Sequence, residues 1–477
     1  MTTPNEAPPR IGVDEWVARS GERRDRGSGP RASILRALER VGWWQRLAAI
    51  AAIVAIFPLL TSSDYAVRVG VNTLLLATLA LGLNVVVGWT GLLDLGYVAF
   101  YGFGAYGFAL LSSGQLGSAG IHLPSLLAIV IVVVGAALLG LVLGLPSRRL
   151  QGDYLAIVTL FFGQIFVETV TNVAPKVTGG PNGVVGIDPL DFFGLQVTTT
   201  RGYFYVLLIV TVAIMGALHL IDSSRTGRGW RAVREDPLAA ALMTIPVNRV
   251  KLLAFSVGAA VAALAGTIFA AFQAGAYPTD FDTPFLILVY AGVILGGSGS
   301  IAGAVLGATV VSVTLELLRN PSQAATLFYG LILLTLVVRL RPWRKLGAVL
   351  AALVAFGFAV HAFVGAISAS AVAGHPQSGG WVGDALGSWV VVPADPKGPG
   401  NIGFVVLILG LVALVQLKGR ARTVLLVPLL YLAAFVWETR LVAEASITRQ
   451  ILLGAILIVM MNARPQGLLG SKRVEVL

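Results

Sequence analysis

Cysteine is absent from the 477 residues, which excludes disulfides and thiol chemistry. Charge is scarce too: Asp, Glu, Lys and Arg make up 12% of the chain, against 56% hydrophobic residues and a mean hydropathy of +0.85. So little charge excludes an ordinary soluble globular protein. No G-x-x-x-x-G-K-[ST] run occurs, so the chain has no phosphate-binding loop; "GGSGSIAG" is Gly-rich but lacks the lysine. His122, His219, His361 and His375 are scattered, and neither H-E-x-x-H nor another metal-ligand spacing is present. The nucleophile motif G-x-S-x-G is missing as well. These residues argue for no catalysis and no metal.

Long apolar runs fill the space that those absences leave. A bilayer core needs roughly 20 residues of helix to cross, and only helices or closed barrels can satisfy their backbone there. The runs do not alternate as barrel strands would, so the fold class is an all-α polytopic membrane protein. Candidate spans are 44–62, 67–88, 95–112, 123–145, 153–174, 203–222, 249–274, 284–296, 301–318, 322–341, 345–369, 402–418, 423–438 and 447–463. The short run 284–296 and its neighbour 301–318 flank "LGGSGSIAG", which reads as a broken or re-entrant pair.

The net charge of +11 sits mainly in loops and at the N-terminus, which points to membrane topology rather than nucleic acid. With the N-terminus inside, the basic clusters in "PSRRLQGD", 222–250, "RLRPWRK", "KGRAR" and "ARPQGLLGSKR" all fall on the cytoplasmic side. The opposite loops, such as "AGAYPTDFDTP", carry few basic residues. Both termini are therefore expected in the cytoplasm, with the protein in the inner or plasma membrane. Four segments follow: a disordered basic tail 1–43, a permease-like core 44–343, additional membrane helices with one outer loop 344–446, and a last span with a cytoplasmic tail 447–477. "ATLFYGLILLTLVVRLRPWRKLG" and "TRQILLGAILIVMMNARPQGLLG" echo each other as a span followed by Arg-Pro and Leu-Gly. Ordinary exit-helix chemistry would produce the same echo.

Four stretches carry candidate function. In "REDPLAAALMTIPVNRVK", Asp236 and Pro237 supply N-cap and N1 chemistry, and Pro246 stops the helix. Leu238, Leu242 and Ile245 then line one face of a two-turn helix, with Arg234, Glu235 and Thr244 at its ends. On its own residues this helix fits a partner's groove, the lipid surface or plain loop packing. "LGLNVVVGWTGLLDLGYVAFYGFGAYG" mixes small residues with Asn84, Thr90, Asp94, Tyr97, Tyr101 and Tyr106. Asp94 reads either as an intramembrane acid or as a loop residue that caps or pairs with an arginine. Gln164 and Glu168 share one helix face inside a span. Such a carboxylate lines a pathway, pairs with a neighbouring helix or reaches water at the outer end. The outer loop "KVTGGPNGVVGI" is dense in turn residues and fits either an extracytoplasmic partner or an exposed turn.

Taken in order, "LGLNVVVGWTGLLDLGYVAFYGFGAYG", "GDYLAIVTLFFGQIF", "TGGPNG", "RAVREDPLAAALMTIPVNRVKLLAF", "ILGGSGSIAGAVLGA" and a terminal "RPQGLLG" resemble the permease of branched-chain amino acid ABC transporters of the LivM type, over roughly 65–340 plus the last motif. The resemblance implies a second related permease subunit, two cytoplasmic ATPases that bind the ATP, and an extracytoplasmic substrate-binding protein. It makes Arg234, Glu235, Asp236, Leu238, Leu242, Thr244 and Ile245 the ATPase-coupling segment. It also makes Asn84, Thr90, Tyr97, Tyr101, Gln164 and Glu168 candidates for the substrate pathway. Two departures stand out. Thr244 sits where the family tends to have glycine, and an alanine replaces an acidic residue in the same loop. The insert from about 345 to 447 delays the terminal motif, so 325–347 is expected to substitute for the usual final span. Competing functions are an ion-coupled secondary transporter using Glu168 or Asp94, a permease for urea or amides, and a non-transporting scaffold.

Overall fold

The computed structural model describes residues 42–113, 122–146, 152–340 (except 174 and 193), 343–441 (except 377, 379 and 418), 464–470 (except 465) and scattered positions between 448 and 461. Most of the expected N-terminal tail, the "SRRLQ" loop and most of the span 447–463 lie outside the described residues.

The chain divides into two compact units, 1–62 and 63–477. In the first, α1 (Trp43–Leu60) is an apolar helix long enough to span, started by the Gln45 Oε1 that accepts from Gly42 N at 3.1 Å.

The second unit is a helical bundle. Its members are α2 (Asp64–Leu83, continued by a π-turn Asn84–Trp89), α3 (Tyr97–Leu111), α4 (Ser125–Gly144) and α5 (Asp153–Glu168, continued by a π-turn Thr169–Val173). Next come α6 (Thr200–Ser223), α7 (Arg225–Glu235), α8 (Pro237–Leu242), α9 (Val247–Gln273), α10 (Thr283–Gly296), α11 (Ile301–Leu317) and α12 (Pro321–Arg339). The insert forms α13 (Trp343–Ile367), α14 (Gly380–Leu386), α15 (Lys397–Gln416) and α16 (Gly419–Val436, continued by a π-turn Trp437–Leu441).

Helix α9 is the axis of the bundle and packs on α2, α3 and α4. Its buried residues are mostly Ala and Gly, so backbones meet directly. A Cβ on Gly104 of α3 would lie 2.2 Å from the Ala263 carbonyl of α9, and one on Gly266 would lie 2.1 Å from the Tyr101 carbonyl. Lipid offers no hydrophobic gain for helix association, so this close fit supplies the packing energy. Hydroxyl pairs add cross-links: Thr78 with Thr211 at 2.9 Å joins α2 to α6, and Thr73 with Ser312 at 2.8 Å joins α2 to α11.

The expected broken pair sits elsewhere. Pro278–Gly296 is long and apolar enough to cross by itself, because a 3-10 turn at Pro278–Phe281 extends α10. Helices α10 and α11 are instead a tightly packed hairpin. The sharp bend, 119°, falls between α11 and α12, where Asn320 and Pro321 start a new helix. The "GGPNG" turn is pinned rather than free: β1 (Val184–Val185) pairs antiparallel with β4 (Gly275–Ala276), and β2 (Leu190–Phe192) forms a hairpin with β3 (Leu195–Val197).

Candidate functional site

The segment between α6 and α9 builds outward from a buried tryptophan. Ser224 caps α7 by accepting from Thr226 N and Gly227 N. One turn later Trp230 is fully buried: its Nε1 donates to the Val250 carbonyl at 2.8 Å, and its ring stacks on Trp89 of the α2 π-turn with centroids 5.6 Å apart. Arg234, expected in the coupling segment, turns inward. Its guanidinium donates to the Gly88 carbonyl and, at 3.3 Å, to Ser298 Oγ.

Helix α8 follows at once. Asp236 is its N-cap, with Oδ1 accepting from Leu238 N at 2.8 Å and Ala239 N at 3.1 Å, and Pro237 is the first helical residue. The helix is one turn shorter at its end than the proline at 246 suggests. Ile245 N bonds back to the Ala240 carbonyl and Thr244 N to Ala241, a Schellman closure with Thr244 at the left-handed position, φ 63°. That position explains why glycine suits it: a β-branched residue is strained there. Because the chain reverses at Thr244, Ile245 leaves the expected stripe and is half-buried. Leu238, Leu242 and Met243, at 77%, 85% and 77% exposed, form the free apolar face instead, with Glu235 exposed beside them. Met243 was not part of the predicted stripe; the glycine-like position after it was the available signal.

Opposite this helix, the loop 297–300 after α10 gathers the anchors. Asn84 Oδ1 accepts from Gly299 N at 2.7 Å, its Nδ2 donates to the Ser300 carbonyl at 3.4 Å, and Trp89 Nε1 donates to the Gly299 carbonyl at 3.0 Å. Asn84, predicted for a pathway, is thus a buried clamp on this loop. Thr90 is likewise buried and donates to the Val86 carbonyl at 2.6 Å. Asp94 lies in the turn between α2 and α3 and accepts from Gly96 N at 3.0 Å. Its backbone is bracketed by the Tyr290 hydroxyl, and its Oδ2 has no partner among the described residues. It is a turn residue whose carboxylate bonds two residues ahead; α3 has no side-chain cap, and Asp94 pairs with no described arginine.

The remaining pathway candidates separate into two environments. Tyr97 and Tyr101 are interior: Tyr97 Oη abuts Gly82, and Tyr101 stacks on Phe285 at 5.5 Å and meets Phe269 and Phe281. Gln164 and Glu168 are exposed on α5. Gln164 Nε2 donates to Thr283 Oγ1 at 2.9 Å, and Glu168 Oε1 accepts from Asn172 at 2.6 Å. A recess beside Gln164 is lined by Gly96, Gly163, Asp282 and Thr283. No group of three or more metal-ligating side chains occurs among the described residues.

Comparison with known proteins gives this geometry a family. Residues 65–340 match the model of the branched-chain amino acid transport system / permease component. The high-affinity branched-chain amino acid transport system permease protein LivM of Escherichia coli (strain K12) is 36% identical over 346 residues, covering 67% of this chain and 78% of that protein. The corresponding LivH protein of Salmonella typhimurium is 28% identical over 253 residues, 50% of this chain and 79% of the relative. The autoinducer 2 import system permease protein LsrC of Salmonella paratyphi B is 29% identical over 196 residues, 39% and 51% of the two chains. No solved structure matches the chain. With most of its length inside one family model and a LivM protein related along two thirds of it, the chain belongs to the permeases of branched-chain amino acid ABC transporters.

Proposed function

We propose that the chain is the membrane subunit of an ATP-driven importer of branched-chain or related amino acids, and that α8 is where its ATPases engage. The observation that carries this reading is a six-residue helix closed at both ends, with Leu238, Leu242 and Met243 exposed and its base tied into the bundle through Trp230 and Arg234. A helix this short is unstable alone, so capping and anchoring that hold an apolar face outward suit a surface that docks. Motion of α8 would pass through the Trp89–Trp230 stack and Arg234 into α2 and the 297–300 loop, and so into the α10–α11 hairpin.

The 224–246 segment and the 297–300 loop are two spans apart and 468–469 bond the end of α10, so all three share one side; the arginines and lysines of these segments support reading that side as cytoplasmic. Glu168 is exposed on α5, and Gln164 one turn before it reaches Thr283 at the start of α10. An intramembrane carboxylate seeks water or a polar partner rather than lipid, so this face of α5 meets the pathway shared with a second, related permease. An extracytoplasmic binding protein would deliver substrate to the opposite side. Relatives named for different solutes leave the amino-acid class as the reading favoured by the LivM likeness.

The test is co-purification with the candidate ATPases and uptake of labelled leucine. Leu238→Asp/Leu242→Asp should lose ATPase binding and uptake while the protein accumulates normally; retained binding would sink the docking claim. Uptake that survives ATPase loss but collapses with the ion gradient would establish a secondary transporter instead.

A further inference from the structure

Residues 466–470 close onto the loop that holds the coupling segment. Helix α10 ends at Gly296, and the final carbonyls of a helix have no partner within it. Two of them are satisfied from the far end of the chain: Leu468 N donates to the Leu295 carbonyl and Leu469 N to the Gly296 carbonyl, each at 2.9 Å. The approach is backbone to backbone. A Cβ on Gly467 would lie 2.5 Å from Gly297 N and Cα, and a Cβ on Gly297 would lie 2.5 Å from Gly470 N. Both glycines also have positive φ, 75° and 111°, so a side chain at either is excluded by conformation and by space. Gly467 N closes on the Arg464 carbonyl at 2.9 Å, which folds the segment into the turn that presents these donors.

The loop clasped on this side is held on its other side by Asn84, Trp89 and Arg234. The insert delays the terminal motif in the sequence, yet residues 466–470 still reach the end of α10.

We infer that residues 464–470 are a positioning clasp. By capping the end of α10 they fix the 297–300 loop, and through it Arg234 and the base of α8, so that movement of α8 is passed to the bundle rather than absorbed by a loose loop. The consequence for transport rests on the importer reading above; the mechanical link does not.

Hydrogen exchange of the full-length protein in nanodiscs tests the link without any partner. Gly467→Val should raise amide exchange about tenfold or more in both 295–300 and 234–242, since helix-end hydrogen bonds and the loop they brace are lost together. Leu468→Pro, which removes one donor, and deletion of 464–477 should act in the same direction, so the test survives if the valine variant fails to accumulate. Deletion of 471–477 should match wild type. Unchanged exchange at 234–242 in variants that loosen 295–300 would overturn the inference. In the assembled transporter, a clasp variant should lower the maximal uptake rate while KM and ATPase co-purification stay the same. Loss of ATPase binding instead would assign the tail a docking role and overturn positioning. If Leu238→Asp/Leu242→Asp leaves ATPase binding intact while the exchange result holds, the coupling reading fails and the clasp stands.

Discussion

Helices α2 and α9 bury 78% and 67% of their most apolar stretches inside the chain, whereas α13 and α15 of the insert bury 6% and 11%. Core helices touch through small residues and backbone, with no room for an added methyl at Gly104 or Gly266. The insert is held by a few large or polar contacts. Trp437 stacks on Phe328 of α12 with centroids 4.1 Å apart, and buried Glu438 accepts from the Tyr329 hydroxyl at 3.2 Å and from the backbone N and hydroxyl of Ser378. The contrast separates two tasks. A bundle that transmits movement needs continuous rigid packing, while helices added at its edge need only a latch and can leave most of their surface to lipid.

The sharpest break of this comparison is one bulky residue in each region. Gly104→Leu should abolish accumulation of folded protein, because the Ala263 backbone cannot move aside; Gly347→Leu on α13, with open space around its Cα, should accumulate as wild type. Fluorescence-detected size exclusion of tagged variants would show both, and a monodisperse Gly104→Leu protein would refute the packing argument. Next in size is Trp230→Ala, which empties a fully buried site and ends the stack on Trp89. It should cost about 3–5 kcal/mol and read out as faster proteolysis within 222–250 than in the insert.

Breaking the latch should be milder and confined to the edge. Glu438→Ala leaves the Tyr329 and Ser378 donors buried without their acceptor, a cost of about 2 kcal/mol. Exchange should rise in 378–441 while α2 and α9 stay protected; loosening of α9 would mean that the insert supports the core. The smallest change is a gain. Thr244→Gly relieves a β-branched residue from φ 63° and should stabilise the closure of α8 by about 1 kcal/mol, seen as slower exchange at Ile245.

Much of the fold could be read before any coordinates. Apolar runs placed the spans, since helix length is dictated by bilayer thickness, and Asp236-Pro237 located the start of α8 because capping is local chemistry. Thr244 was marked as unusual from the resemblance, though its left-handed backbone was not. Asn84 and Thr90 are polar residues in an apolar run whose hydrogen bonds go to the Gly299–Ser300 backbone and, one turn back, to the Val86 carbonyl. Local spacing could foresee the Thr90 bond but not the distant backbone that Asn84 reaches. Likewise the glycines of "LGGSGS" read as a helix break, which they are, but that Gly297 also leaves room for the tail was not legible.

The residue pattern by itself determined that this is a helical membrane protein, where its helices run and where α8 begins, because bilayer thickness and end-capping act over one or two turns of chain. Only the tertiary structure decided that Trp89 meets Trp230, that Arg234 turns inward, and that Gly467 closes on Gly297. Those contacts join residues far apart in sequence, and they exist only once backbone groups left over at helix ends have found their partners in space.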